Sequence, residues 1–435
     1  MEIYTSYSVK IKHYNRIFEK TAHLYQDAVD FFINVCLQEW DHISVIKGSN
    51  NQQTFVEQLS HRTKNRLVTP YDFSEKFYKF PSYLRRAAIN EAIGKVSSYK
   101  SNYSNWEANP VGKAPTITKA GHVYPAMFRN NMYVRIDDYT ARIKVFIRNT
   151  WDWLTVSLKK SDVDYILRNC KGRTECAPTL QKRGKEWFLD FPFEETVKLP
   201  DVSVYERTIV AVDLGINNTC VCSVMRADGT ILGRHFLSLP REKDSLQHAV
   251  NRIKKAQQHG ARKTPGLWAV ANGINDRIAV LTAQFIMDVA VLYNADVIVF
   301  EHLDLKGKKF GSHKQRLHLW NARYVQSMVT NKAHRLKMRI SHICAWGTSK
   351  FAYDGSDVVE RDEDNYSMCT FKNGKRYHCD LSATYNIGAR CFIREILKSL
   401  LVTERLDMEA KVPACSKRST CTYSTLISLN AALAA

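Results

Sequence analysis

Thr208-Ile209-Val210-Ala211-Val212-Asp213-Leu214-Gly215 is a run of apolar and β-branched residues that closes on a carboxylate. Such a run reads as a buried strand, and Gly215 permits a sharp turn after it. An ionised Asp at the mouth of a buried strand is costly unless a cation or a donor compensates it. Two later stretches have the same build. Ala295-Asp296-Val297-Ile298-Val299-Phe300-Glu301 is an apolar strand ending on Glu301, and Tyr377-His378-Cys379-Asp380 leads into a helical Leu381-Ser382-Ala383-Thr384-Tyr385-Asn386-Ile387 with Asp380 at its start. A lone Asp at a strand end is usually a turn or a cap. Three acids in the order Asp, Glu, Asp, on strand, strand and helix start, point instead to one divalent metal site. Phosphodiester hydrolysis uses such oxygen ligands from several elements, and Mg²⁺ suits carboxylates while keeping several waters.

Outward from these acids, composition narrows the partner. The chain has 435 residues and a formal net charge of +20, with a pI near 9.4. The length allows several domains and a substantial core. A basic balance this large is a statement about what the surface binds, and it fits a polyanion. Met1-Glu2-Ile3-Tyr4 leads straight into charged alternation without a signal peptide, and no run approaches the about 18 apolar residues of a membrane span. Eleven irregularly spaced cysteines read as reduced thiols. The expected compartment is the cytoplasm, with no membrane partner.

Before the first acid, Ser6 to Lys12 alternates apolar and basic residues as a strand would. Helical periodicity runs from about Tyr14 to Trp40, with Ile17, Leu24, Ala28, Phe31 and Val35 on one stripe, then from Gln53 to Lys64. Pro81 suits the first turn of a third helix, which carries Arg85, Arg86, Lys95, Tyr99, Lys100 and Tyr103. Basic and aromatic side chains together can contact phosphate and stack on bases. From about Asn109 the texture is β: Tyr133 to Ile136, Arg142 to Arg148 with Arg142, Lys144 and Arg148 on one face, Trp153 to Leu158, and a hairpin about Arg183-Gly184. A small barrel with a helical insertion after its first strand is the expected arrangement. Lys198-Leu199-Pro200-Asp201 reads as a linker.

After Asp213, Thr219 to Val224, an Asp228-Gly229 turn and Thr230 to Phe236 extend the first strand into an antiparallel set. This is the opening of an RNase H-like fold. Helices are expected from about Asp244 to His259 and from Asn275 to Tyr293, the second with Ile278, Leu281, Phe285, Val289 and Leu292 inward. Leu303 to His313 is a glycine- and lysine-rich loop, and a helix from about Gln315 to Arg339 carries Arg316, Arg323, Lys332, Arg335, Lys337 and Arg339 with Trp320 and Tyr324. The tail after Asp407 shows no clear periodicity and is expected to be loosely ordered.

The segments Val212 to Asn218, Val299 to Leu303 and Asp380 to Ile387 resemble the three RuvC motifs of the compact type V-F CRISPR effectors and their transposon-encoded TnpB relatives. The resemblance implies a multidomain α+β chain. A β-barrel wedge domain (1–12 and 108–197) would be split by a helical recognition domain (13–107), with a linker at 198–204. An RNase H-like RuvC nuclease domain (205–342 and 380–435) would hold a small nucleic-acid-binding subdomain (343–379). It implies Asp213, Glu301 and Asp380 as catalytic acids holding Mg²⁺ or Mn²⁺. Arg361 falls where relatives carry an arginine near the active site. Ser382 stands where the family often has Asn.

The family also has a zinc ribbon in the subdomain, and here the chain departs. Thr348-Ser349-Lys350 matches the lead-in, but Ala352 and Gly355 occupy the first cysteine pair, and only Cys369 and Cys379 remain, beside Cys344 and His378. Tetrahedral zinc needs four ligands at tighter spacing, so structural zinc is not expected. Tyr366 to Phe371 and Lys375 to Cys379 flank Lys372-Asn373-Gly374 as a hairpin that could stand without metal.

The implied activity is RNA-guided cleavage of double-stranded DNA beside a short T- or pyrimidine-rich motif, in a prokaryotic cytoplasm. Its partners would be a guide RNA (crRNA with tracrRNA, or a fused guide), the target DNA and a second protein copy on the same guide. A transposon-borne guided nuclease and a guided binding module without cleavage are the rival readings. Asp-Leu-Gly-Ile-Asn also opens the phosphate site of sugar kinases and actin-like ATPases, but their second Asp-Gly-Gly loop and Gly-Gly adenosine site are not apparent.

Overall fold

The computed structural model describes residues 1–13, 15–110, 112–128, 130–215, 219–303, 321–365, 367–417 and 419–435. The chain divides into two compact units, Glu2–Glu195 and Thr196–Ala435, the latter joined by Met1.

The first unit opens with β1 (Glu2–Lys10) and continues through α1 (Arg16–Gln38), α2 (Trp40–Val45), α3 (Ser49–Ser60), α4 (Phe73–Lys76) and α5 (Ser82–Ala108). Asn15 caps α1 by accepting from the Ile17 N–H at 2.9 Å. The buried face of α1 is Phe18, Ala22, Tyr25, Val29, Phe32 and Cys36. Ala28 and Val35 of the expected stripe are buried too, whereas Ile17, Leu24 and Phe31 are half-buried at its edge. Phe73 of α4 stacks on Phe32 at 4.8 Å and on Phe77, the residue after the helix, at 4.6 Å, which draws this short helix into the core. Pro81 is the N-cap of α5, not part of its first turn. Arg85 is removed from the expected nucleic-acid face: it is buried and paired with Glu57 of α3 at 2.7 Å. Tyr99, Tyr103 and Trp106 do form an aromatic row along α5, with ring centroids 5.9 and 5.6 Å apart.

The unit continues through β2 (Tyr133–Arg135), β3 (Thr140–Ile147), β4 (Thr150–Ser157), α6 (Lys160–Asn169), β5 (Thr174–Glu175), β6 (Thr179–Arg183) and β7 (Glu186–Thr196). β2, β3 and β4 form one sheet; β1, β7 and β5, with β6 on β7, form another. The bridge Ile11–Leu158 links strand ends of the two. Arg142 and Lys144 flank the Trp153 ring at 5.8 and 5.9 Å. Arg148 does not share their face. It sits with Asn149 at positive φ, 50° and 61°, in the two-residue turn between β3 and β4.

In the second unit, β8 (Thr208–Asp213), β9 (Cys220–Arg226) and β10 (Ile231–Leu237) run antiparallel, and two helices follow, α7 (Pro240–Gln258) and α8 (Pro265–Leu292). β11 (Val297–His302) then pairs parallel with β8, and after α9 (Ala322–Arg335), β12 (Arg339–Cys344) pairs parallel with β11. The sheet order is β10-β9-β8-β11-β12. A small sheet of β13 (Glu360–Arg361), β14 (Met368–Thr370) and β15 (Arg376–His378) precedes α10 (Cys379–Ser399), α11 (Val402–Lys411), a 3₁₀ turn Pro413–Ser416 and α12 (Tyr423–Ala434). No described helix is long and apolar enough to cross a membrane.

β8 and β11 are covered on both faces, which is why their sequences are continuously apolar. Ile209, Ala211, Val297 and Val299 pack with α10 residues on one side; Val210, Val212, Ile298 and Phe300 pack with α8 and α9 on the other. Gly388 lets α10 approach β9, since a Cβ there would overlap the Met225 sulfur. On α8 the buried positions are Ala271, Ala279, Thr282, Ala283, Ile286, Met287, Val289 and Ala290. The expected inward Leu292 is 67% exposed.

The tail is ordered, contrary to expectation. Thr425, Leu426 and Leu429 of α12 are buried, and the helix is tied down by Asn430 Nδ2 to the Ala227 carbonyl (2.8 Å) and Tyr423 Oη to the Gly229 carbonyl (2.6 Å). Residues 304–320, with Arg316 and Trp320 and the start of the helix expected from Gln315, and Tyr14, Tyr366 and Ile216-Asn217-Asn218 lie outside the described residues.

Candidate active site

Strand alternation sets the site. Residues two apart share a face, so Asp213 follows Ile209 and Ala211, and Glu301 follows Val297 and Val299, onto the side that α10 covers. The two acids stand one residue beyond the register partners Val212 and Phe300, on adjacent parallel strands. Asp380 lies in the first turn of α10, where the helix dipole favours a carboxylate. His378 caps that turn, its Nδ1 accepting from the Leu381 N–H at 3.4 Å.

The three carboxylates act on one another. Burial pushes the Asp213 carboxyl well above the usual carboxylate range, and the charges of Glu301 and Asp380 push it further, while Arg361 pulls it down. Glu301 is also raised by burial, opposed by a hydrogen bond from Thr348 and by the charge of Arg390. Lys243 of α7 is half-buried. Burial lowers its ammonium pKa and the nearby Asp380 partly restores it. Arg361 is exposed on β13, yet its charge reaches Asp213, Cys369 and Cys379.

Burial holds back the ionisation of Asp213 and Glu301, and the charges of Glu301 and Asp380 add to it at Asp213; a hard divalent cation beside these oxygens would offset both penalties. Asp213, Glu301 and Asp380 therefore fit Mg²⁺ or Mn²⁺ by donor type. Among the described residues, no three His, Cys, Asp or Glu side chains are grouped so that they could hold a metal ion as they stand.

Sequence reasoning missed the residues that hold Glu301. The buried Thr348 hydroxyl lies within hydrogen-bond reach of Glu301 Oε1 and of the Ala345 carbonyl. Asn386 Nδ2 donates to the Thr348 and Phe351 carbonyls at 3.0 and 2.9 Å, and its Oδ1 accepts from the Tyr423 N–H at 3.0 Å. One turn on, Arg390 donates to the carbonyls of Cys421, Cys344, Trp346 and Ser419 at 2.6–2.9 Å. A signal was present: Asn386 and Arg390 stand four apart in the otherwise apolar stretch 385–393. Ser382 Oγ accepts from the Tyr353 N–H at 3.2 Å.

In residues 343–379 the hairpin about Gly374 forms, with Thr370 opposite Arg376 and Gly374 at φ 83°. Its centre is apolar: Ala352, Cys369, Phe371 and Cys379 are buried together, with Tyr353, Val359 and Tyr377 around them. Burial pushes the Cys369 thiol up to about 12 and raises Cys379 as well.

The chain matches the Aq_aa04 family over residues 5–147. No curated protein matches it. Among solved structures it is similar to a Cas12f1–sgRNA–target DNA complex, at 14% identity and TM-score 0.33 over 88% of this chain and 98% of that one. A CRISPR-Cas12f ternary complex is similar at 13% identity and TM-score 0.32, over 86% and 80% of the two chains. CasPhi-2 (Cas12j) bound to crRNA and phosphorothioate-DNA is similar at 9% identity and TM-score 0.43, over 90% and 91%. Likeness this remote leaves the site to rest on its own residues.

Proposed function

We propose that the chain is an RNA-guided DNA endonuclease of the compact type V-F kind, cutting double-stranded DNA beside a short adjacent motif. The observation that carries this reading is that Asp213 and Glu301 end adjacent parallel strands of a five-stranded sheet, with Glu301 and Asp380 near enough for their charges to act on Asp213. The order of that sheet, three antiparallel strands continued by two parallel ones, supports an RNase H-like domain. The net charge of +20 supports a nucleic-acid partner.

In this reading Asp213, Glu301 and Asp380 hold Mg²⁺ or Mn²⁺, which when bound supplies Lewis acidity and a nucleophilic water. Thr348 orients Glu301, while Lys243 beside Asp380 and Arg361 beside Asp213 bring positive charge to a phosphate that gains charge during cleavage. The guide RNA supplies sequence specificity by pairing, and the protein reads the adjacent motif. Residues 1–12 and 108–197 would be the wedge, 13–107 the recognition domain, 198–204 the linker, 205–342 with 380–435 the nuclease, and 343–379 a zinc-free nucleic-acid-binding subdomain. Two copies would share one guide RNA in a prokaryotic cytoplasm.

The test is cleavage of a plasmid library with randomised bases beside a fixed target, with guide RNA and Mg²⁺, wild type against Asp213→Ala. Cutting by wild type alone is expected. Guide-dependent binding without cutting by wild type would leave only the binding module.

A further inference from the structure

Between β12, α10, α11 and the 3₁₀ turn lies a cavity of about 400 Å³ whose lining includes Arg390, Arg394, Lys398, Arg405, Glu409 and Cys344. Arg390 is 5% exposed, and its four hydrogen bonds all go to backbone carbonyls. Carbonyls satisfy its N–H groups but leave its full charge; among the described residues no carboxylate forms a close ion pair with it, and Glu301 acts on it only at longer range. Glu395 is shared between Arg394 (2.9 Å), Lys398 (3.6 Å) and Arg207 (3.9 Å), and Glu409 lies 3.7 Å from Arg405. The acids present are too few for these cations, so the cavity carries surplus positive charge. Buried charge is costly unless compensated, and guanidinium groups compensate best against phosphate.

We infer that this cavity is a phosphate-binding site. Ile343, which lines it, is the register partner of Glu301 on the neighbouring strand and belongs to the same apolar face. The cavity therefore begins one strand spacing, about 4.8 Å, from the strand that carries Glu301. Given the nuclease reading, on which this source rests, the phosphate belongs to the nucleic-acid backbone. The charge balance alone also accepts a free phosphate or mononucleotide.

Cys344 lines the cavity and is the exposed cysteine of the chain; Cys176 is half-exposed elsewhere. Its alkylation by iodoacetamide, read by mass spectrometry with EDTA present, reports occupancy without any cleavage. The probes are a short oligothymidylate lacking a terminal phosphate, thymidine 5′-monophosphate and inorganic phosphate, at matched ionic strength. At about ten times its Kd a bound probe should slow Cys344 alkylation about tenfold and leave Cys176 unchanged. The protection should vanish in the double variant Lys398→Glu, Arg405→Glu, whose side chains are 62% and 45% exposed and so not needed for the core. Protection by the oligonucleotide alone assigns a backbone phosphate; protection by the small phosphates as well assigns a free-phosphate site. Unchanged alkylation with every probe, or protection that survives the double variant, overturns the inference. An enzyme that cuts DNA with Cys344 unprotected would lose this site and keep its nuclease reading.

Discussion

Thr348 presents its hydroxyl to the Glu301 carboxylate from a turn 47 residues further along the chain. That hydroxyl has one proton and two acceptors, Glu301 Oε1 and the Ala345 carbonyl. Ionised Glu301 takes the proton, because a charged acceptor is the stronger; protonated Glu301 can instead donate to Thr348, which then donates to Ala345. Thr348 therefore favours the ionised, metal-ready form. Thr348→Val keeps the shape and removes the hydrogen bond. It should weaken the Mg²⁺ affinity read from cleavage by about 10–100-fold, while Thr348→Ser stays near wild type. A Mg²⁺ titration unchanged in Thr348→Val would show that the hydroxyl does not orient Glu301.

Asp213 and Glu301 give the metal-free protein a defined response to pH. Both are raised above reference values of 3.8 and 4.5, first by burial. A carboxyl with a higher pKa folded than unfolded holds more protons in the folded state. Its contribution to stability is then full below the reference values and is lost as pH rises through the raised ones. Mg²⁺ binds the ionised forms, so its stabilisation grows over the same window. Melting temperature in EDTA should fall more steeply from about pH 5 to pH 8 for wild type than for Asp213→Asn. Added Mg²⁺ should raise wild type most at the upper end. Parallel wild-type and variant curves in EDTA would remove the electrostatic account of the site.

How much of this was legible depended on how repetitive the physics was. β8 and β11 were readable because a strand buried on both faces must be apolar throughout, and each ends where Asp213 and Glu301 break that rule. The helix stripes were harder. On α1 the outer Ile17, Leu24 and Phe31 are as apolar as the inner Phe18, Tyr25 and Phe32, so periodicity alone found Ala28 and Val35 but missed the inner face at the other three positions. α12 was missed for a related reason: Tyr423–Ala434 is apolar or small on most sides, and a uniform helix shows no stripe. Arg148 was misread because its turn uses positive φ, which Asn149 suggests and Arg148 does not. Thr348, Asn386 and Arg390 act through contacts between distant segments, which spacing does not encode.

The apolar centre of residues 343–379 gives a third expectation. Ala352, Cys369, Phe371 and Cys379 pack where relatives of the resembling family would hold zinc, and burial disfavours the thiolate that a metal needs. Phe371 is 2% exposed. Phe371→Ala should therefore cost about 3–5 kcal/mol, whereas chelation should leave the melting temperature unmoved apart from the Mg²⁺ effect. Stoichiometric zinc in the purified protein, lost together with stability on chelation, would sink the apolar-core account.

The last prediction concerns the C-terminal segment, which the structure makes part of the same scaffold as Glu301. Ser419 and Cys421 supply two of the four carbonyls that hold Arg390, and the Tyr423 N–H occupies the Asn386 carbonyl oxygen. Asn386 in turn holds the Thr348 and Phe351 carbonyls. Leu426 and Leu429, both fully buried, anchor α12 and so keep those partners in place. Leu429→Ala should destabilise the protein by about 2–5 kcal/mol in urea, and the neighbouring exposed Ser428→Ala by less than about 0.5 kcal/mol. Loosening α12 should also leave the buried Arg390 charge short of acceptors, so Leu429→Ala should raise the Mg²⁺ concentration that cleavage needs, in the same direction as Thr348→Val. A Leu429→Ala protein as stable as Ser428→Ala would mean that α12 does not pack as described. Lost stability with an unchanged Mg²⁺ titration would separate the tail from the acids and leave it a purely architectural role.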